Sequence, residues 1–107
     1  MFAKKFRLPA SIIFQKAQTI GFPQLSIKYQ ENNLPHGRFG FVTSKTLDKR
    51  AAVRNRLKRL VRSCVEGKWE TKSKGKDVLF ILKPGLKMMT REEVRKKMQE
   101  VMEKITL

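Results

Sequence analysis

Between positions 49 and 62, seven of fourteen side chains are Lys or Arg and none is acidic. Cations at that density suit one chemistry, the gripping of a polyanion. Arginine serves it best, because its planar fork can bond a phosphate through two parallel N–H groups or stack on a base. A plain run of like charge would repel itself and stay unfolded. This run is instead threaded by Val53, Leu57, Leu60, Val61, Cys64 and Val65, at offsets of 0, 4, 7, 8, 11 and 12. That spacing marks one buried face of a helix. At about 100° per residue, Asn55, Lys58, Arg59 and Arg62 fall opposite the apolar stripe, with Arg54 and Arg56 flanking it. The Asn55 amide, set among the cations, can pair with a base edge or a ribose 2′-hydroxyl. The plainer reading of such a helix is a solvated basic face, but solvated faces normally mix both signs of charge.

Residues that could break bonds are scarce. His36 is the only histidine and sits in a turn-rich loop, where it reads as a surface residue. Cys64 is the only cysteine, which excludes an internal disulfide, and its place on the apolar stripe makes it a packed, inert thiol. Zinc spacing, a glycine-rich phosphate loop and a Ser-His-acid or Cys-His arrangement are all missing from the sequence. The pair Glu92–Glu93 is explained by helix capping and the helix dipole. On residues alone this is a binding protein.

The net charge supports that reading. The chain has 107 residues, enough for a single domain spanning 1–107, and carries 25 basic against 9 acidic side chains, a formal charge of +16. Self-repulsion of that size weakens a compact state unless a polyanion offsets it. No apolar stretch reaches the roughly 18 residues of a membrane span. The basic helix lacks Trp or Phe on its apolar face, which disfavours a membrane surface. Nucleic acid is the partner that remains. A strand, rather than a short packed helix, precedes the basic helix, so the helix-turn-helix geometry of common DNA readers is disfavoured.

The elements that must position this helix can be read along the chain. Residues 1–8 form a basic arm. Pro9 opens a short helix over 10–20, with Ile12, Ile13, Phe14, Ala17 and Ile20 apolar and Gly21 as its stop. Leu25–Gln30 alternates as a strand, Glu31–Gly37 reads as a hairpin loop, and Arg38–Ser44 is a second strand with Phe39 and Phe41 on one side. The basic helix runs from about Lys49 to about Lys68, ending near Gly67. Asp77–Lys83 holds a buried strand, and Thr90–Glu93 is a capping box that opens a last helix with Val94, Met98, Val101, Met102 and Ile105 on one face. Phe14, Tyr29, Phe39 and Phe41 could stack on bases, but core packing is the commoner use of such residues. The pattern predicts a compact two-layer α/β sandwich of the α+β class, a small sheet packed with helices, in the order α-β-β-(β)-α-β-α, the bracketed strand lying near the second loop.

Ala52–Arg62, reading AVRNRLKRLVR, closely resembles the "RNR" motif of the bacterial ribonuclease P protein subunit. Arg38–Lys45 resembles the strand that leads into that motif, Arg7-Leu8 with Phe14-Gln15 resembles the family's first helix, and Asp77–Gly85 its late strand and turn. The resemblance implies a large catalytic RNA and precursor tRNA as partners, with no membrane and no small-molecule substrate. It implies Mg2+-dependent removal of the tRNA 5′ leader, with the ions held mainly by the RNA, which carries the chemistry. It implies a cytoplasmic setting and a left-handed βαβ crossover in a mixed sheet, against the usual handedness.

Carried over by position, Arg54, Asn55, Arg56, Lys58, Arg59 and Arg62 would face the catalytic RNA, with Arg50 just ahead of them. Phe14, Lys28, Ser44, Lys45 and Arg7 would line a cleft for the single-stranded leader. Three departures stand out. Gln18 occupies a position where the family often has an aromatic. Lys28, next to Tyr29, occupies one where a strand tyrosine is common. Thr46–Arg50 replaces a Lys-rich, Gly-Asn-containing lead into the motif. A one-residue shift of register would exchange the faces of Lys28 and Tyr29. The alternative from another class is a non-catalytic RNA-binding module such as a ribosomal or RNA-chaperone protein; a DNA-binding protein is a weaker third.

Overall fold

The structure is a computed structural model that describes residues 7–8, 17–43, 46–66 and 75–104. In chain order it contains strands β1 (Gln18–Gly21), β2 (Leu25–Glu31) and β3 (Arg38–Thr43), helix α1 (Ala51–Val65), strand β4 (Lys76–Leu82), a 3-10 turn (Pro84–Met88) and helix α2 (Arg91–Lys104). The strands form one mixed sheet in the order β1-β2-β4-β3. β2 runs antiparallel to β1 and β4, whereas β3 and β4 pair in parallel across the α1 crossover.

Strand β4 takes a central place because its Val-Leu-Phe-Ile-Leu run is apolar on both faces. Val78, Phe80 and Leu82 point into the core with Leu25 and Ile27 of β2 and Phe39 of β3. Leu57, Val61 and Val65 of α1 and Val94, Met98 and Val101 of α2 close that core from the helix side. Two layers result, with the helices on one face of the sheet. The opposite face carries Lys28, Leu79, Gly40 and Val42.

Three expectations need correction. The predicted helix over 10–20 does not extend to its last residues: Gln18–Gly21 is strand β1, paired with Ser26–Tyr29. The β-branched pair Thr19-Ile20 suits a strand, and Pro23 helps the chain turn straight back, with Phe22 N donating to Leu25 O at 2.8 Å. Gly21 therefore ends a strand, and the fourth strand lies ahead of β2 rather than after β3. The remainder of that helix, residues 9–16, lies outside the described residues, as do Gly67 and Ile105. The loop between β2 and β3 is not a hairpin, because β4 is inserted between these strands. Local turn chemistry cannot reveal that a strand forty residues later fills the gap.

Two polar devices fix this arrangement. Arg38 and Asp77 are register partners on β3 and β4, joined by two bonds of 2.8 Å. Asn32 Nδ2 donates to the same carboxylate at 3.0 Å and to His36 O at 3.2 Å, tying the β2–β3 loop to the central strand. At α2 the capping box forms in both directions: Glu93 N donates to Thr90 Oγ1 at 3.2 Å, and Thr90 N donates to Glu93 Oε1 at 2.9 Å.

Candidate nucleic-acid interface

Helix α1 divides its residues as its spacing demands. Leu57, Val61 and Val65 are buried, and Val53, Leu60 and Cys64 are half-buried against the core. Asn55, Arg56 and Arg59 are exposed, while Arg54, Lys58 and Arg62 are partly covered. Asn55, Lys58, Arg59 and Arg62, spaced 0, 3, 4 and 7, border one shallow depression of about 330 Å3. Three cations and one amide thus converge on a surface where no acid intrudes among the described residues, a geometry suited to successive phosphates and a base edge or 2′-hydroxyl.

The two arginines at the start of the helix are used differently. Arg50 is the N-cap, with φ −79° and ψ 120°, and no side chain caps it. Asp48, buried to within 9 % exposure, organises the turn instead. Its Oδ1 accepts Arg50 N at 2.8 Å and Arg50 Nε at 3.0 Å, and its Oδ2 accepts Arg50 Nη2 at 3.0 Å and Lys87 Nζ at 3.4 Å. The hydrogen bonds from Arg50, assisted by Lys87, hold the Asp48 carboxyl far below the usual carboxylate range. Arg54 Nη1 donates to the carbonyls of Asp48 and Lys49 at 2.8 and 2.9 Å. Arg50 and Arg54 therefore hold the first turn in place, with Leu47 buried beneath it as an anchor.

At the other end of the helix, the Arg62 guanidinium carbon lies 5.4 Å from the centre of the Phe41 ring. Arg7, Leu8, Phe39, Gly40, Phe41 and Arg62 border a second depression, of about 260 Å3. Arg7 bridges to Phe39 and Leu8 N donates to Phe39 O at 2.8 Å, so this segment runs along the free edge of β3. Gly40 permits that path: a Cβ there would come within 3.0 Å of the Leu8 side chain. Because β3 is an edge strand, the helix side of the sheet meets the opposite side around it; that opposite side is open in the sense that no described helix covers it.

The remaining cleft residues separate. Lys28 pairs with Thr19 and Leu79, and Leu79 with Gly40, so these residues form one row across the open face. Tyr29 points to the opposite, helix-covered side and donates its hydroxyl to Gln18 Oε1 at 2.7 Å. The register thus places Lys28 on the open face and removes Tyr29 from it. Phe39 is core, and Phe41 is stacked on Phe80. Phe14, Ser44 and Lys45 lie outside the described residues.

The sequence reading missed Lys87, Arg91 and Arg95, which share a groove with Arg56 and Arg59. A signal was present for Arg91 alone: a cation in the first turn of a helix opposes its dipole. Among the described residues no three His, Cys, Asp or Glu side chains cluster closely enough to hold a metal ion.

Comparison with known proteins gives a single family. A family model described as Ribonuclease P matches residues 6–106. A ribonuclease P protein component from Syntrophomonas wolfei is 33% identical over 112 residues, covering 100% of this chain and 92% of that protein. One from Bacillus mycoides is 38% identical over 91 residues, covering 83% and 77%. The RNase P protein structure from Staphylococcus aureus aligns with a TM-score of 0.82 at 23% identity, covering 95% of this chain and 98% of that one. That from Thermotoga maritima aligns at 0.79 and 23% identity, covering 92% and 96%. At such identities the structures speak for the fold, and the sequence relatives for the family.

Proposed function

The chain belongs to the ribonuclease P protein family, and from that membership we propose how its surfaces divide their work. As the protein subunit of ribonuclease P, a cytoplasmic bacterial ribonucleoprotein, it assists RNA-catalysed removal of the 5′ leader from precursor tRNA. It binds RNA in that role, and its family membership sets aside the ribosomal, chaperone and DNA-binding alternatives. The α1 face of Asn55, Lys58, Arg59 and Arg62 lies on the catalytic RNA. Arg50 and Arg54 preform the first turn, and Arg56 extends the contact on one flank. The open face of the sheet, with Lys28 and with Arg7 at its β3 edge, receives the single-stranded leader. Phe14, Ser44 and Lys45 belong to that second surface by their match to the family's motifs alone.

The observation that carries this division is the convergence of Asn55, Lys58, Arg59 and Arg62 on one depression of α1. The Arg7–Phe41–Arg62 depression connects it to the open face around β3. One RNA surface can therefore continue from the catalytic RNA to the leader. Ribonuclease P complexes depend on Mg2+. We assign those ions to the RNA subunit, which carries the chemistry.

Reconstitution with a bacterial ribonuclease P RNA and labelled precursor tRNA at low Mg2+ tests the reading. The protein is expected to stimulate leader cleavage and to cleave nothing by itself. No stimulation, or cleavage by the protein alone, would overturn it.

A further inference from the structure

Helix α2 begins with cations that its own stability does not call for. Arg91 and Arg95 stand in its first turns, and Lys87 lies in the 3-10 turn that leads into it. Of these three cations, Arg91 in the first turn is opposed directly by the positive end of the helix dipole. Their side chains line a groove of about 670 Å3 together with Arg56 and Arg59 of α1, over an apolar floor that includes Leu57, Leu60 and Met89. Among the described residues no acid lines the groove. Among the described residues, ion pairs engage Arg38, Arg50, Lys76, Lys87 and Lys97, but none engages Arg56, Arg59, Arg91 or Arg95. Lys87 reaches Asp48 at 3.4 Å and keeps 39% of its side chain exposed.

Five cations held together against their mutual repulsion, of which Lys87 alone reaches an acid, call for an anion to offset them. We propose that this groove between α1 and α2 binds a second stretch of the catalytic RNA backbone, with Arg91 and Arg95 as phosphate contacts. Arg59 borders both this groove and the Asn55–Arg62 depression, so the two form one continuous surface. The footprint thereby broadens from a single helix face to a two-helix saddle. The apolar floor favours the flat faces of guanidinium groups and leaves their edges for phosphate. The inference rests on the assignment of α1 to the catalytic RNA.

The test is equilibrium binding of the full chain to a bacterial ribonuclease P RNA, without tRNA, over 50–200 mM monovalent salt. Arg91→Gln/Arg95→Gln is expected to weaken binding several-fold and to reduce the log–log salt slope by roughly 1.4–1.8, the release of about two phosphate contacts. Arg91→Lys/Arg95→Lys keeps the charges and is expected to retain most of the slope. Thermal melting of the Gln pair should be at or above that of the parent, since a dipole conflict is removed; this excludes misfolding as the cause. If Arg59→Ala weakens binding but the Gln pair does not, the groove is a solvated patch and the inference fails alone. If neither weakens binding, the α1 assignment fails with it. Loss confined to precursor tRNA, with catalytic RNA bound as before, would also overturn the inference.

Discussion

The guanidinium carbon of Arg62 stands 5.4 Å from the centre of the Phe41 ring. That ring lies on Phe80 at 5.1 Å with an interplanar angle of 9°. A cation on the basic helix α1 is thereby steadied on an aromatic pair rooted in the sheet. The interaction is worth about 0.5–1 kcal/mol at such a partly exposed site, and its consequence is position as much as energy. Arg62→Ala should lower affinity for the catalytic RNA and the salt slope by about one unit. Phe41→Leu should keep most of the buried volume and the full slope, yet weaken affinity, because Arg62 loses its platform. Salt-dependent binding of the two variants checks this; an unchanged affinity for Phe41→Leu would show that the stacking is incidental.

Lys28, rather than Tyr29, occupies the open sheet face. Lys28→Ala is expected to weaken leader-bearing precursor tRNA more than mature tRNA, by a few-fold at low salt. Competition binding with the two RNAs measures the difference. Equal losses for both would place Lys28 outside the leader path.

Asp77 is 1% exposed and accepts from both Arg38 and Asn32. Asp77→Asn removes the charge that compensates Arg38, whose side chain is 20% exposed. Breaking a buried pair in this way costs about 3 kcal/mol. A urea midpoint shift without change in the denaturant slope is the expected result. A stability within about 0.5 kcal/mol of the parent, the usual range for an inconsequential substitution, would mean that the β3–β4 register is held by the apolar core alone.

The Asp48 carboxyl lies far below its ordinary value of 3.8, chiefly through its hydrogen bonds with Arg50, and that of Glu93 lies below 4.5 through Thr90. Groups depressed in the folded state contribute stability that is fully present above their unfolded values. That contribution is lost as pH falls through the folded ones. Stability from these two groups should therefore be flat from pH 7 to about 5 and decline below about 4. Asp48→Asn should be less stable at pH 7 and show a shallower acid decline. Thermal melts across pH 2–7 provide the check; parallel curves for parent and variant would refute the role given to Asp48.

Much of this was legible locally. The periodicity of Val53 through Val65 located α1 and its buried face. Thr90 and Glu93 located the start of α2, and the apolar run over 78–82 located the central strand. These signals act within a few residues, through side chains that share a turn or alternate along a strand. Gln18–Gly21 was misread because Ile20 extends a helical pattern as readily as it begins a strand. Its pairing with β2 made the choice, and that pairing is a tertiary fact at this length.

Read as a string of residues, the chain already shows one helix with a cationic face over an apolar one, a need for a polyanion, and the family motif it bears. These follow from residue type and spacing. Which cations work together is settled by the packing of distant segments. Arg50 and Arg54 bond back onto the first turn of α1, Arg62 leans on Phe41 across the β3 edge, and Arg91 and Arg95 come alongside Arg56 and Arg59 from more than thirty positions away. That packing also decided that Lys28 faces the open sheet while Tyr29 faces the helices, because a strand's register is fixed by its neighbours. Charge is written in composition; the surface it makes is set by packing.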